Sequence, residues 1–226
     1  MTTPTTTKES RPRRWSGPWP TPAIVAGVGF GVFALSTATA AALYPGYSHV
    51  RDTISTLAAT DSPSAWIMIA GFLALAAGTM AAGLTLWVRL RTGIAGRVGA
   101  VMVILAGAAM VVAGLAQQDC SELVDTCAAA EVAGTVSGHH AIHQLVSLAV
   151  FVVLAIALVV LARGLRTSGT WAQLAVATRL AGMAAFTVVA LMVTVGFGDV
   201  GGLVQRTLVA LVFGSPVLLA ALPGRR

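Results

Sequence analysis

Histidines are the residues of this sequence best suited to chemistry. His139 and His143 stand in Ser137-Gly138-His139-His140-Ala141-Ile142-His143-Gln144. On a helix these two imidazoles lie one turn apart on one side, and Ser147 continues that line. An HxxxH pair can chelate one metal ion, and His49, expected at the same membrane face, would supply a third imidazole. Three such ligands leave a coordination position for water, which zinc would activate for hydrolysis, with Asp52 or Asp119 as orienter or general base. The same residues also have a structural reading. Histidines at a helix start can hydrogen-bond the neighbouring loops, and the helix dipole there disfavours their cationic form. A haem or quinone contact is a third reading, but all the histidines sit at one level, which excludes a two-haem chain across a membrane.

Asp52 belongs to a segment that runs from Tyr44 to Leu57. At helical spacing Val50, Ile54, Leu57 and Ala58 share one face, while His49, Asp52 and Thr56 share the other. This predicts a short amphipathic helix at the membrane interface, or alternatively a pair in which Asp52 orients His49 toward a pocket. Asp119 lies in a second polar segment, about 117–138, beside the only two cysteines, Cys120 and Cys127. An even count, a short separation and no matching cysteine ligands elsewhere favour a disulfide. Asp119, Glu122, Asp125 and Glu131 make this segment acidic, which reads first as a solvated face and second as a weak cation site.

The elements that must position these residues are membrane spans. The chain is 57% hydrophobic and 10% charged, with a mean hydropathy of +0.86, whereas soluble domains carry roughly a quarter charged residues. The predicted fold class is an all-α, polytopic transmembrane bundle. Six segments reach the length of roughly 20 apolar residues that a span needs: about 22–43, 64–88, 97–116, 139–162, 176–197 and 202–222. None carries an ionisable residue in its central turns, and Arg206, one turn inside the last, can snorkel outward. Lys8, Arg11, Arg13, Arg14, Arg89, Arg91, Arg97, Arg163, Arg166, Arg179, Arg225 and Arg226 alternate to one side in sequence, leaving Arg51 and Arg206 opposite. All the acids except Glu9 sort the other way. The positive-inside rule then places both termini in the cytoplasm, in the plasma membrane, with the histidines and cysteines at the outer face. The high pI of about 10.7 therefore reflects span-flanking charge, and no nucleic-acid partner is expected.

The domain reading is a disordered cytoplasmic tail over 1–20, rich in Thr, Pro and Arg, and a six-helix domain over 21–226. Arg13-Arg14, the first apolar run and Thr39-Ala40-Ala41 also resemble a cleavable signal peptide, although the run is long for one. Ser62-Pro63 suggests a cap for the second span, and the Trp171 segment an interfacial helix. Gly27 and Gly31 have GxxxG spacing, expected to serve close packing inside the bundle, with homodimerisation as the alternative. No internal repeat supports an inverted-repeat transporter.

Tyr44-Pro45-Gly46-Tyr47, followed by Arg51-Asp52-Thr53-Ile54-Ser55-Thr56-Leu57-Ala58, resembles the first-loop signature of a bacterial six-helix membrane family, domain of unknown function 998. Its members typically have a Pro-Gly-Tyr turn, an Ile-Ser-x-Leu run, an acidic residue after helix three and a histidine at the start of helix four. Asp119 and His143 (or His139) match the last two positions. Many members have Phe-Pro-x-Asp-Pro where this chain has Ala116-Gln117-Gln118-Asp119-Cys120. The resemblance spans about 22–222 and implies a fold and a membrane location, but no activity.

Three functions follow as expectations. The first is a bundle that binds membrane lipids or a protein partner through an outer-face polar site. The second is a metal-dependent hydrolase, with zinc on His49, His139 and His143. The third is a transporter of a small uncharged solute, using hydroxyls such as Ser36, Thr37, Thr79 and Thr187. Homo-oligomerisation stays open.

Overall fold

The computed structural model describes residues 21–90, 93–121, 123–195 and 198–222; the tail expected at 1–20 lies outside them. Six helical stretches are long and apolar enough to cross a membrane: Pro22–Ala42, Ala65–Arg89, Ile94–Leu115, Gly138–Arg166, Trp171–Thr194 and Gly198–Ala221. They correspond one to one with the predicted spans. The helices are α1 (Thr21–Ala42), α2 (Ala65–Arg89), α3 (Ile94–Leu115), a short α4 (Asp125–Val132), α5 (Gly138–Arg166), α6 (Ala175–Thr194), α7 (Gly201–Val209) and α8 (Ser215–Ala221). No strand occurs among the described residues. A π turn over Ala210–Gly214 joins α7 to α8, so that together they form the sixth span. Pro216 has no N–H to give the preceding turn, which explains why the helix widens there.

Helices pack largely in chain order, α1 on α2, α2 on α3, α3 on α5 and α5 on α6, and α8 returns to α1 and α2. Lipid is as apolar as a leucine side chain, so close backbone approach must supply much of the cohesion. A Cβ on Gly164 of α5 would sit 2.5 Å from the Gly96 Cα of α3. Between α1 and α2 the contact is Gly29 against Gly78, not the Gly27/Gly31 pair. A Cβ on Gly27 or Gly31 would meet nothing within 4 Å, because both face outward. Gly27 and Gly31 therefore do not serve close packing inside the bundle.

Three further expectations change. The first loop does not form an amphipathic helix floating on the interface; it contains only a 3-10 turn, Ser55–Ala58. Asp52 and Thr56, assigned to its wet face, are buried, while Val50 is exposed. Trp171 is also buried, in a 3-10 turn leading into α6, with the Arg89 guanidinium 5.8 Å from its ring centre. Ser62 caps no helix; its hydroxyl donates to the Leu57 carbonyl at 2.8 Å.

Candidate functional site

Because the spans alternate in direction, the links after α1, α3 and α6 meet at one end of the bundle. Their backbones bond one another. The Thr60 N–H donates to the Gln118 carbonyl at 2.9 Å, and the Gly202 and Leu203 N–H groups donate to Arg51 and Val50 at 2.9 Å each. A side chain on Gly202 would collide with the Asp52 carbonyl, so glycine permits this approach.

Asp52 does not orient His49. One of its carboxylate oxygens accepts from the Ser48 N–H at 2.6 Å, and the other from the Arg51 Nε at 2.8 Å. Arg206 reaches out of its span to this loop, donating to the Asp52 carbonyl at 3.0 Å and to the Tyr47 hydroxyl. His49 packs edge-on against Tyr47, with ring centres 5.5 Å apart. Partial burial, then the nearby Arg206 charge, lowers the His49 pKa below its ordinary value, which leaves a neutral ring at pH 7.

Asp119 caps α5. It accepts from the backbone N–H of Ser137 and, at 2.6 Å, from its hydroxyl. Ser137 in turn is the N-cap, accepting from the His140 N–H at 3.3 Å. The Ser137 bonds hold the Asp119 carboxyl below its ordinary pKa, and His140 and His139 add smaller contributions in the same direction. Cys120 and Cys127 form a disulfide that ties this segment to the first turn of α4.

The histidines divide. His139 is exposed. His140, which the spacing argument passed over, is fully buried: its Nδ1 accepts from the Asp119 N–H at 3.2 Å and its Nε2 lies 2.9 Å from Glu131. Nδ1 is therefore the unprotonated nitrogen and Nε2 carries the proton. His143 is buried one turn deeper. Its Nδ1 lies 2.8 Å and 2.9 Å from the carbonyls of Ala113 and Ala116, at the C-terminus of α3. Carbonyls only accept, so Nδ1 holds the proton and the neutral ring presents Nε2 as an acceptor. The Ser55 hydroxyl sits there at 3.0 Å. His49, His139 and His143 are thus not brought together, and among the described residues no three His, Cys, Asp or Glu side chains form a group fit for a metal ion.

Ser55 and His143 instead line a cleft between α5, α6 and α7 of about 430 Å³. Its polar lining is uncharged: Thr53, Ser55, Gln118, His143, Gln144, Ser147 and Gln205. Its apolar lining is Leu148, Phe151, Val189, Met192 and Val193. Leu148 and Val193 are also exposed on the outside of the bundle, so the cleft opens sideways. A smaller cavity of about 30 Å³ runs inward past Ser55 and His143 toward Phe72 and Phe213. Gln205 fixes the cleft roof, its side-chain oxygen accepting from the Ile54 N–H. The Gln118 side-chain oxygen is buried with no hydrogen-bond partner, the one such side-chain atom among the described residues. Leaving a buried acceptor unpaired costs about 1–3 kcal/mol.

Sequence reasoning missed Ser55, Gln118 and Gln205 as cleft residues. The signal available was Ser55 in the Ile-Ser-Thr-Leu run, next to the residues singled out for their charge. Of the mid-span hydroxyls proposed for a solute path, Thr37, Thr79 and Thr187 donate to carbonyls of their own helices, at Phe33, Leu75 and Met183.

A family model described as protein of unknown function (DUF998) matches residues 27–222. The chain belongs to that family. No curated protein and no solved structure matches it.

Proposed function

We propose that this protein is a multi-pass protein of the plasma membrane, with both termini in the cytoplasm, that binds an uncharged amphipathic lipid bearing hydroxyl groups in its outer-face cleft. Charge sorting supports the orientation, as does a disulfide on the side assigned to an oxidising compartment. The observation that carries the ligand assignment is the unpaired Gln118 oxygen in a cleft that joins a lining of amides and hydroxyls to an apolar one. A hydroxyl donor on the ligand would satisfy that oxygen. The absence of Lys, Arg, Asp and Glu from this cleft lining disfavours a charged headgroup, because nothing there would offset its desolvation. Ligand sites of this kind join an apolar enclosure to a few orienting polar groups.

The test is lipid analysis of the detergent-purified protein alongside a variant with a filled cleft, Val189→Trp. Diacylglycerol-like or other uncharged hydroxylated lipids should be enriched over the bulk membrane, and the variant should lose them. A lipid profile equal to that of the membrane in both samples would rule the reading out.

The Ser55–His143 pair favours a second reading, acyl transfer in the same cleft. A hydroxyl hydrogen-bonded to an imidazole whose other nitrogen is held by fixed groups is the arrangement of an activated nucleophile. Ser55 Oγ would attack an ester carbonyl as His143 Nε2 takes its proton. The imidazolium would return that proton to the leaving alcohol, and water would then release the acyl group from Ser55. A fluorophosphonate probe should label Ser55 in wild type and not in Ser55→Ala; an unlabelled wild type leaves binding alone.

A further inference from the structure

The opposite end of the bundle holds a second cleft, of about 520 Å³, between α5 and α6. Arg163 and Arg166 on α5 and Arg179 on α6 form its rim. Val159 lies one turn from Arg163 on the same face of α5, and Met183 and Phe186 continue the face of α6 that starts at Arg179. Val159 and Met183 also line an adjoining apolar groove of about 310 Å³ that reaches Phe186. The two hollows therefore form one channel along the outside of the helix pair. From Arg179 to Phe186 it extends about 10 Å toward the middle of the membrane.

Among the described residues no acid pairs with the charge at this rim. Of the eight acids in the sequence, seven lie in the links after α1, α3 and α6, at the other end of the bundle, and the eighth is Glu9. The ion pair between Arg51 and Asp52 and the hydrogen bond between His140 and Glu131 are at that other end as well. Sorting by the positive-inside rule explains why arginines are at this end. It does not explain why three of them converge from two helices on the mouth of an apolar groove.

We infer that this channel is a binding site for an anionic phospholipid, its phosphate held by Arg163, Arg166 and Arg179 and one acyl chain lying along Val159, Met183 and Phe186. Guanidinium groups suit phosphate because they donate paired hydrogen bonds to it. Basic hollows between spans on the cytoplasmic side are a recognised headgroup environment. The site is separate from the outer-face cleft, and its lipid class is the opposite one.

The test uses purified full-length protein stripped of lipid, with retention measured by native mass spectrometry. The probes are phosphatidylglycerol, phosphatidylcholine with the same chains, and inorganic phosphate. Wild type should retain phosphatidylglycerol over phosphatidylcholine. Arg163→Gln/Arg166→Gln/Arg179→Gln should lower that retention roughly a hundredfold, at about fivefold per basic side chain. Met183→Trp keeps every charge and fills the groove, so it should also lose phosphatidylglycerol; it decides the matter if the triple variant does not fold. Equal retention of the two lipids, displacement of the lipid by inorganic phosphate at equal concentration, or unchanged retention in Met183→Trp would each overturn the assignment.

Discussion

The two ends of this bundle solve the problem of polar groups at a membrane surface in opposite ways. At the histidine end, three links interlock: Asp52 and Asp119 accept backbone N–H groups, His140 and His143 each bridge different segments, and a disulfide closes the second link. At the arginine end the links are short, and Arg163, Arg166 and Arg179 are exposed around an open hollow. Polar groups at the first end are spent mainly on structure, apart from those that line the cleft. At the second end they remain available to something outside the chain. A buried, hydrogen-bonded group is costly to remove, whereas an exposed charge is nearly neutral to stability.

That contrast can be broken by substitution. The largest effect is expected from His143→Ala, which orphans the Ala113 and Ala116 carbonyls and frees Ser55. Thermal unfolding in detergent should show a loss of about 3–5 kcal/mol. Reducing the Cys120–Cys127 disulfide comes next, since the loop it closes is short, at about 2.5 kcal/mol on a chain-entropy estimate. Its effect should be local, raising amide exchange in α4 while the spans stay protected.

Asp119→Asn should cost about 1–2 kcal/mol through the weakened α5 cap. It also tests a pH dependence of definite sign. The folded Asp119 pKa is depressed, so its stabilisation is fully present above the unfolded carboxyl value, near pH 4, and is lost as pH falls through the lower folded value. Wild type should therefore lose stability on acidification in that range, and Asp119→Asn should lose less. Smallest of all, Arg163→Gln should change unfolding by no more than about 0.5 kcal/mol. A large loss there, or none at His143, would erase the distinction between the ends.

The sequence revealed the spans because a span is a local property: twenty apolar residues and their flanking charges suffice. The cysteine pairing was legible for a similar reason, two residues alone in one short segment. The cleft was not. Ser55 meets His143 across 88 residues and Gln205 meets Ile54 across 151, and no spacing rule links such positions. Helical spacing on α5 also favoured His139 and His143, whereas burial selected His140 and His143, because the folded-over links cover that side of the helix. The first link departs from its amphipathic pattern because Asp52 is held inside by the backbone N–H and guanidinium that it binds.

Lipid binding in the cleft lined by Ser55 and His143 is tested most directly by photocrosslinking in native membranes with a photoactivatable diacylglycerol analogue. Peptides carrying the adduct should map to Leu148–Phe151 of α5 and Val189–Val193 of α6, and Val189→Trp should abolish them. Adducts spread evenly over the exposed faces of the bundle, or concentrated in the arginine-rimmed groove, would contradict it.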